Sequence, residues 1–218
     1  MITLLVLTDG RGECLTRTLA SAEEMLPQDA LCDRLIVNDC QDPGYQAWLT
    51  ETYGLRYRIL APARRKRGFG GAIQAGWDEI EHGDYVFHLE DDFTFNQPVP
   101  LAKMAKVLDR HLHLAQISLM RQAWNPDERA AGGLVELHPE WYTESGDQHG
   151  RWLEQRAYFT TNPSLYRRSL TKRGWPQKPR SEGLFSLDLI RDGFTMAVWG
   201  DGTPWVAHIG DERVGTGY

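Results

Sequence analysis

The first 92 residues alternate between short strand-like runs and helix-like segments, and this alternation constrains the fold more than any other sequence feature. The strand-like runs are ITLLVLT at 2–8, DRLIVNDC at 33–40, LRYRILA at 55–61 and DYVFHLEDD at 84–92. Between them, the segments 14–26, 45–54 and 70–83 are typical of helices that end at proline or glycine. Strands alternating with helices build a parallel sheet through right-handed crossovers. The sequence therefore predicts an α/β fold with a mostly parallel central sheet flanked by helices.

Polar side chains follow three of these runs at the point where each strand ends. They are Thr8 and Asp9, Asn38 and Asp39, and the consecutive acids Glu90, Asp91 and Asp92. Ligands bind at the carboxyl edge of such a sheet. Three adjacent carboxylates indicate a metal site, a helix N-terminus or a solvated turn, because like charges need neutralisation. The convergence of three polar strand ends on one edge favours the metal site.

The second half of the chain has a less regular pattern. Residues 101–120 predict a helix and then a strand, and 121–136 predict a turn-rich excursion that suits a mobile loop. Residues 156–170 predict a strand followed by a helix that begins at Pro163. A helix at 181–193 and short strands at 194–200 and 205–210 follow. Because the sequence contains no repeat and no linker, it predicts a single domain over residues 1–218.

The composition excludes several classes of protein. Within the 218 residues, no segment approaches the roughly 20 apolar residues that cross a bilayer. The N-terminal apolar run lacks the basic flank of a secretory signal. Cys14, Cys32 and Cys40 are scattered and lack metal-ligand spacing, which favours free thiols in the cytoplasm over a disulfide framework or a zinc site.

Four stretches together resemble the nucleotide-sugar-dependent glycosyltransferases of the GT-A fold, and among them glycosyltransferase family 2. The stretches are TLLVLTDGRGECLTRTLAS, LIVNDCQD, RGFGGAIQAGWDEIEHGDYVFHLEDDF and SEGLFSLDLIRDGFTMAVWGDGTPWVAHIG. The resemblance implies a GT-A (Rossmann-like) mixed, mostly parallel sheet. It divides the domain into a nucleotide-sugar-binding half at 1–98 and an acceptor-side half at 99–218. The chain departs from the family pattern in having Glu first in the DxD motif and Ser181-Glu182 where Glu-Asp is usual.

The resemblance also implies a metal cofactor, Mn²⁺ or Mg²⁺, bridging the phosphates of a nucleotide-sugar donor, for which a UDP-sugar is expected. Asp92, at the end of the DxD motif, is the expected metal ligand, and Glu90 or Asp91 contacts the ribose or a metal-bound water. His208 lies where the family has a late histidine that contacts the metal or the pyrophosphate. A hydrogen-bonded structural histidine is the alternative for His208.

The remaining donor contacts are expected from the first three strand ends. Thr8, Asp9 and Arg11 would face the base and ribose, and Asp39 would accept a hydrogen bond from a nucleobase N–H; its alternative role is that of a turn residue. In ARRKRGFGG, the basic run ending at Arg67 is either a solvated charge cluster or a contact to the pyrophosphate. Gly71 permits close backbone approach where the next helix begins.

An inverting transfer needs a base for the acceptor hydroxyl, and the resemblance places Glu182 there. The alternative for Glu182 is a first-turn acid that complements the helix dipole. Asp188 is the second candidate for the base, although an exposed helix residue is its more usual role.

The acceptor is expected to be anionic. Although the chain has a net charge of −6, residues 151–180 contain eight basic residues and one acidic residue, a local net charge of +7. Trp152, Tyr158, Phe159, Tyr166 and Trp175 are interleaved with them, and basic and aromatic residues together are typical of nucleic-acid binding. The pattern also suits glycan or lipid-phosphate acceptors, or a solvated face.

The chain also resembles compact, stand-alone phage transferases, some of which glycosylate hydroxymethylated pyrimidines in DNA. That resemblance makes DNA modification one hypothesis for its acceptor. A nucleotidyltransferase of similar fold is the alternative activity, although the TDGRGE segment lacks the lysine usual in that class. A non-catalytic nucleotide-binding module is a further alternative.

Overall fold

The computed structural model describes residues 1–210 of the chain, so the end of the predicted domain at 211–218 lies outside the described residues. The strands are β1 (Ile2–Thr8), β2 (Leu31–Asn38), β3 (Arg58–Leu60), β4 (Tyr85–Glu90), β5 (Phe93–Phe95), β6 (Leu114–Ser118), β7 (Tyr142–Asp147), β8 (Gly150–Gln155), β9 (Ser164–Arg167), β10 (Thr195–Trp199) and β11 (Val206–His208). The α-helices are α1 (Gly12–Met25), α2 (Pro43–Tyr53), α3 (Gly68–Asp78), α4 (Leu101–Arg110), α5 (Pro126–Ala131), α6 (Leu134–Leu137) and α7 (Ser181–Arg191). Short 3-10 turns cover Gln28–Ala30, Pro139–Trp141 and Arg168–Arg173.

The main sheet has nine strands in the order β3-β2-β1-β4-β9-β6-β10-β8-β7. The first four are parallel, as the alternating pattern predicts, and β6 and β10 are parallel to each other. Strand β9 runs antiparallel between β4 and β6 and joins the two halves of the chain in one sheet. The sheet is therefore mixed, and the predicted α/β fold is confirmed.

Both faces of the sheet are buried because helices cover both sides. In β1, Leu4 and Val6 lie in one hydrophobic core, while Leu5 and Leu7 lie in the other. This division follows from the two-residue repeat of a strand. A strand buried on both faces reads as a continuous apolar run, which is why β1 and β4 are recognisable in the sequence.

The second half differs from the sequence-based expectation in two places. The helix expected to begin at Pro163 is wrong, since Ser164–Arg167 form β9. Leu165 and Tyr166 are at most 1% exposed in the middle of the sheet, so tertiary packing overrides the local helix signal. The excursion at 121–136 contains α5 and α6, and it is followed by an unpredicted hairpin of β7 and β8.

Two observations bear on the compositional predictions. Cys14, Cys32 and Cys40 are free and half-buried, as expected of thiols outside a disulfide framework. Among residues 1–210, no helix is long and apolar enough to cross a membrane.

Candidate active site

The acidic triplet lies at the carboxyl end of β4, and two of its members are almost completely buried. Asp91 is 1% exposed and Asp92 is 3% exposed, which excludes a solvated turn. Thr8, at the end of the neighbouring β1, donates a hydrogen bond from Oγ1 to Asp91 Oδ2 at 2.7 Å. The backbone N–H of Asp9 donates to the same oxygen at 3.3 Å. The adjacent ends of β1 and β4 therefore build one polar site, as the strand order predicts.

Arg11 neutralises the two buried carboxylates. Its guanidinium forms one ion pair with Asp91 and a second with Asp92. Burial raises the pKa of Asp91, and the charge of Arg11 opposes but does not cancel that effect. For Asp92, burial also acts to raise the pKa, but the hydrogen bond from His208 and the charge of Arg11 outweigh it and lower the pKa. Of the two carboxylates, Asp92 is thus the one whose pKa is lowered.

His208 reaches Asp92 because β11 pairs with the short strand β5. His208 lies opposite Phe93 in this pairing, and the N–H of Ile209 donates to the backbone oxygen of Asp92 at 2.8 Å. The imidazole Nε2 is 3.1 Å from Asp92 Oδ2. The structure thus brings together the two residues that the sequence nominates as metal ligands, which are 116 positions apart.

The chemistry of this pair fits Mn²⁺ or Mg²⁺. A carboxylate oxygen and an imidazole nitrogen are acceptable ligands for Mn²⁺, and Mg²⁺ prefers oxygen. Asp92 Oδ1 and His208 Nδ1 are buried, and neither has a hydrogen-bond partner among the described residues. No group of three or more His, Cys, Asp or Glu side chains suited to a metal occurs within residues 1–210. A cation held here would therefore take most of its ligands from phosphate and water.

Two residues that sequence reasoning missed hold His208 in place. Gln122 donates from Nε2 to the backbone oxygen of His208 at 2.9 Å and accepts from its backbone N–H at 2.9 Å. The Trp124 ring packs edge-on against the imidazole with a centroid distance of 4.0 Å. Both residues belong to the turn-rich excursion, where the sequence pattern carries no signal of contact with a strand 84 or more positions away.

Glu182, the predicted base, lies in the first turn of α7 and is half-buried. Its Oε1 accepts hydrogen bonds from both the backbone N–H and the hydroxyl of Thr161, at 2.7 and 2.8 Å. These two bonds orient the carboxylate and leave Oε2 available. Thr161 is a further residue that the sequence does not reveal, because its segment is wrongly predicted as a strand.

Glu90, the first acid of the triplet, lines the same cleft as Glu182. Burial, followed by the charge of Asp92, raises the pKa of Glu90 well above its usual value. The charge of Glu182 acts in the same direction, while a hydrogen bond with Thr161 opposes it. Glu90 and Glu182 are therefore close enough to interact, and they share Thr161.

The Asp39 carboxylate accepts hydrogen bonds from the backbone at the start of α3 and the loop before it. Its two oxygens accept from the N–H groups of Arg67 and Gly68 at 2.9 and 2.8 Å. The Arg67 side chain donates to the backbone oxygen of Ala61 at 3.0 Å, which links the basic loop to the end of β3. Each oxygen of Asp39 retains one acceptor site, so a contact to a nucleobase stays a prediction. Burial raises the pKa of Asp39, and the two backbone hydrogen bonds oppose that effect.

Glycines allow two close approaches at the start of α3. A Cβ added to Gly71 would lie 2.9 Å from Cβ of Arg67. A Cβ added to Gly70 would lie 2.7 Å from the backbone oxygen of Pro176, so the helix start packs directly against the loop before α7. In the preceding loop, Lys66 pairs with Asp9 at 2.6 Å.

One cleft of about 1390 Å³ runs past these groups. Its donor side is formed by the residues that begin α3, Arg67 to Gly71, together with Glu90 and His208. Its other side is formed by Lys178 to Leu187 and by Trp141 and Tyr158. The predicted metal ligand His208 and the predicted base Glu182 therefore face one shared space.

The basic and aromatic segment 151–180 has a different role from the one expected. Trp152, Phe159, Tyr166 and Trp175 are at most 4% exposed, so they present almost no ring surface to a ligand. The expectation of an aromatic binding face is thus wrong for four of the five rings. Among the basic residues, Arg167 donates to the backbone oxygen of Leu114 at 2.8 Å, and Arg168 to that of Glu81 at 2.8 Å. These two cations support the fold.

Asp188, the second candidate for the base, is paired with cations on the outside of α7. It lies 3.2 Å from Arg173 and also pairs with Arg191. It does not line the cleft. The structure therefore supports the view of Asp188 as an exposed helix residue.

No protein-family model matches the sequence, and no curated protein matches it. Solved structures are similar over almost the whole chain. Mannosyltransferase PcManGT from Pyrobaculum calidifontis, in complex with GDP-Man and Mn²⁺, superposes with a TM-score of 0.68 at 17% identity, covering 98% of this chain and 58% of its own. GalNAc-T7 with UDP, GalNAc and Mn²⁺ gives a TM-score of 0.71 at 10% identity, covering 98% of this chain and 44% of its own.

Residues 1–349 of S. aureus TarS, in complex with UDP-GlcNAc, give a TM-score of 0.66 at 17% identity, covering 99% of this chain and 60% of the other. The chain has the GT-A fold. It spans less than two thirds of the length of these three structures. At these identities the likeness establishes the fold alone, which confirms the predicted fold class.

Proposed function

We propose that the protein is a metal-dependent glycosyltransferase that moves a sugar from a nucleotide-sugar, for which we favour a UDP-sugar, to a hydroxyl of an anionic acceptor. One observation carries the proposal: on a GT-A sheet, the buried carboxylate of Asp92 lies 3.1 Å from His208, and His208 lines the same cleft as Glu182. The three similar structures contain GDP-Man, UDP with GalNAc, or UDP-GlcNAc, and two of them contain Mn²⁺. This supports a nucleotide diphosphate at the metal-binding end of the cleft.

Asp92 and His208 would hold the cation, which as a Lewis acid stabilises negative charge on the diphosphate. Thr8, Asp9, Arg11 and Asp39 would form the nucleoside side of the site in this proposal. Asp91 would hold Thr8 and Arg11 in position, because it accepts a hydrogen bond from Thr8 and forms an ion pair with Arg11. The backbone of Arg67 to Gly71, which lines the cleft, would approach the diphosphate.

Glu182 would act as the base in an inverting transfer. As the acceptor oxygen attacks the anomeric carbon, its proton passes to the Glu182 carboxylate. The bond between the anomeric carbon and the phosphate oxygen breaks, and its electron pair leaves with the nucleoside diphosphate. The two hydrogen bonds from Thr161 fix the orientation of the carboxylate. This geometry suits a base better than a first-turn acid whose only role is to complement the helix dipole.

The donor and metal assignment is tested by thermal shift with a panel of nucleotide-sugars, with and without Mn²⁺. We expect one UDP-sugar to raise the melting temperature, EDTA to abolish the rise, and Asp92→Asn to remove the Mn²⁺ dependence. A donor-dependent shift that is insensitive to EDTA would contradict the metal site.

The catalytic assignment is tested separately by Glu182→Gln. This variant should bind the donor as well as the wild type, while kcat falls by about 10²- to 10⁴-fold because general-base catalysis contributes that factor. Asp188→Asn is the matched control and should retain activity, since Asp188 lies outside the cleft. An active Glu182→Gln enzyme would refute the role of Glu182.

Among the acceptors, a hydroxymethylated pyrimidine in DNA stays a hypothesis, beside glycan and lipid-phosphate acceptors. The support for this hypothesis was the pattern of basic and aromatic residues in 151–180, but four of the five aromatic side chains are buried in the core. Transfer of labelled sugar to hydroxymethyl-pyrimidine DNA tests it directly, and absence of transfer from the donor identified above would exclude it.

A further inference from the structure

The far side of the cleft has two unpaired cations on the loop before α7. Lys178 and Arg180 are exposed and line the cleft. In the part of the chain that the structure describes, neither side chain forms a hydrogen bond or an ion pair. By contrast, Arg167, Arg168 and Arg173 of the same basic segment are engaged with backbone oxygens or acids. Lys178 and Arg180 are therefore available for an anionic ligand next to Glu182.

Arg180 is also held in an unusual backbone conformation. Its φ is +59°, and it is the one residue other than glycine with a positive φ among residues 1–210. A left-handed conformation is unfavourable for a residue with a Cβ, so glycine or asparagine would suit this position better if only the backbone mattered. Strain of this kind is concentrated at functional sites. It supports a role for the arginine side chain at the entrance to α7.

Apolar side chains lie beside these cations. Leu184 is 41% exposed and Leu187 is 66% exposed, and they are three residues apart on one face of α7. Trp141, at 38% exposed, lines the same side of the cleft and stacks on His138. Of the six large apolar side chains that are exposed within residues 1–210, three are in this cleft. Such clustering marks a binding surface, whereas apolar residues scattered singly do not.

We infer that this wall of the cleft binds an amphiphilic phosphate, with the phosphate on Lys178 and Arg180 and an apolar chain along Leu184, Leu187 and Trp141. A lipid phosphate has this chemistry. A nucleic acid needs a track of cations for successive phosphates and ring faces for its bases, whereas the site offers two cations and mainly aliphatic surface. The inference rests on the proposed function, because the amphiphilic phosphate would be the acceptor and, besides the phosphate held by Lys178 and Arg180, it would carry the hydroxyl that loses its proton to Glu182.

The binding is tested on the full chain by titration calorimetry with decyl phosphate below its micelle-forming concentration. We expect the wild type to bind decyl phosphate at least ten times more tightly than inorganic phosphate. Arg180→Gly should weaken binding about tenfold, because a hydrogen bond to a charged group is lost. Its melting temperature should be unchanged or higher, because glycine accepts the left-handed backbone. Leu187→Gln should weaken binding of decyl phosphate about fivefold and leave that of inorganic phosphate unchanged.

Arg156→Ala is the matched control, because Arg156 is an exposed arginine of the same basic segment outside the cleft, and it should bind like the wild type. Equal binding by wild type and Arg180→Gly would overturn the inference, as would equal affinity for inorganic phosphate. Binding of a hydroxymethylcytosine oligonucleotide that depends on Arg180, without binding of decyl phosphate, would assign the wall to nucleic acid instead. The Mn²⁺-dependent shift with a nucleotide-sugar is measured on the same samples. If that shift persists while decyl phosphate fails to bind, the proposed function stands and only this inference fails.

Discussion

Replacement of Arg11 by methionine tests how the buried acids at the end of β4 are neutralised. The Arg11 side chain is 20% exposed and pairs with both Asp91 and Asp92, whose side chains are at most 4% exposed. Methionine keeps much of the length and apolar contact of the arginine stem but removes the charge. The variant then holds two adjacent carboxylates in a poorly solvated site, with the His208 imidazole, 3.1 Å away, as the remaining partner of Asp92.

Removal of one partner from a buried ion pair costs about 3–5 kcal/mol, and the partial exposure of Arg11 favours the lower end, about 3 kcal/mol. A change of 1 kcal/mol moves the melting temperature of a domain of this size by about 2–4 °C, so we expect a fall of about 6–12 °C. The loss should be smaller at low pH. Loss of Arg11 raises the folded-state pKa of both carboxylates, that of Asp91 from an already raised value and that of Asp92 from a lowered one. Protonation at low pH removes the charges that Arg11 neutralises, so the loss of stability is full where the carboxylates are ionised and shrinks as the pH falls.

Calorimetric melting with and without Mn²⁺ provides the decisive comparison. In the wild type a cation must compete with Arg11 for Asp92, whereas in Arg11→Met the ion pair with Arg11 is absent and only the contact with His208 remains. A ligand at about 100 times its dissociation constant stabilises by about 2.7 kcal/mol, so Mn²⁺ should restore most of the lost stability in the variant. The rise in melting temperature with Mn²⁺ should therefore be larger in the variant than in the wild type.

Arg17→Met is the matched control, since Arg17 is an exposed arginine on the same helix. It should melt within about 2 °C of the wild type, because surface substitutions usually change stability by less than about 0.5 kcal/mol. The reasoning is refuted if Arg11→Met melts with the control, or if Mn²⁺ stabilises it less than it stabilises the wild type.

Three further perturbations test the groups around the cleft. Glu90→Gln should flatten the pH dependence of the free energy of unfolding measured with urea. The raised pKa of Glu90 contributes stability that is complete below about pH 4.3 and is lost as the pH rises through the folded-state pKa. Parallel pH curves for the variant and the wild type would contradict the burial of the Glu90 carboxylate. Thr161→Val removes the hydroxyl donor to Glu182, and kcat should fall about tenfold with KM little changed, whereas Thr161→Ser, which keeps the hydroxyl, should retain kcat. Equal kcat for Thr161→Val and the wild type would exclude Thr161 as a positioning residue. Asp39→Asn places an amide opposite two backbone donors and should cost about 1–3 kcal/mol in chemical denaturation, with faster hydrogen exchange at the Arg67 amide; unaltered exchange would show that the loop is held by other contacts.

The site residues differ in how far the sequence predicts them. The position of Asp92 beside the end of β1 is predictable, because strand order brings the carboxyl ends of β1 and β4 together. His208 and Glu182 follow from the resemblance of the four stretches to the family, and the roles of all three residues stay predictions. Thr161 and Gln122 are not, since each acts through a contact that depends on where a loop returns to the sheet. The stacking role of Trp152 and Tyr166 is wrong because a basic neighbourhood in sequence says nothing about burial.

The sequence by itself determines the parallel strands β1 to β4, because strands buried on both faces require continuous apolar runs and the helices between them require crossovers. It also determines that acids lie at the strand ends. Only the tertiary structure decided that 164–167 is a strand, because its stability comes from pairing with β4 and β6 on either side. Likewise, only the tertiary structure decided which basic side chains bind other parts of the fold, and that Lys178 and Arg180 line the cleft without a side-chain partner among residues 1–210. The local spacing of apolar residues shows whether a segment is a helix or a strand. Strand pairing, burial and charge neutralisation instead depend on residues that are far apart in the chain.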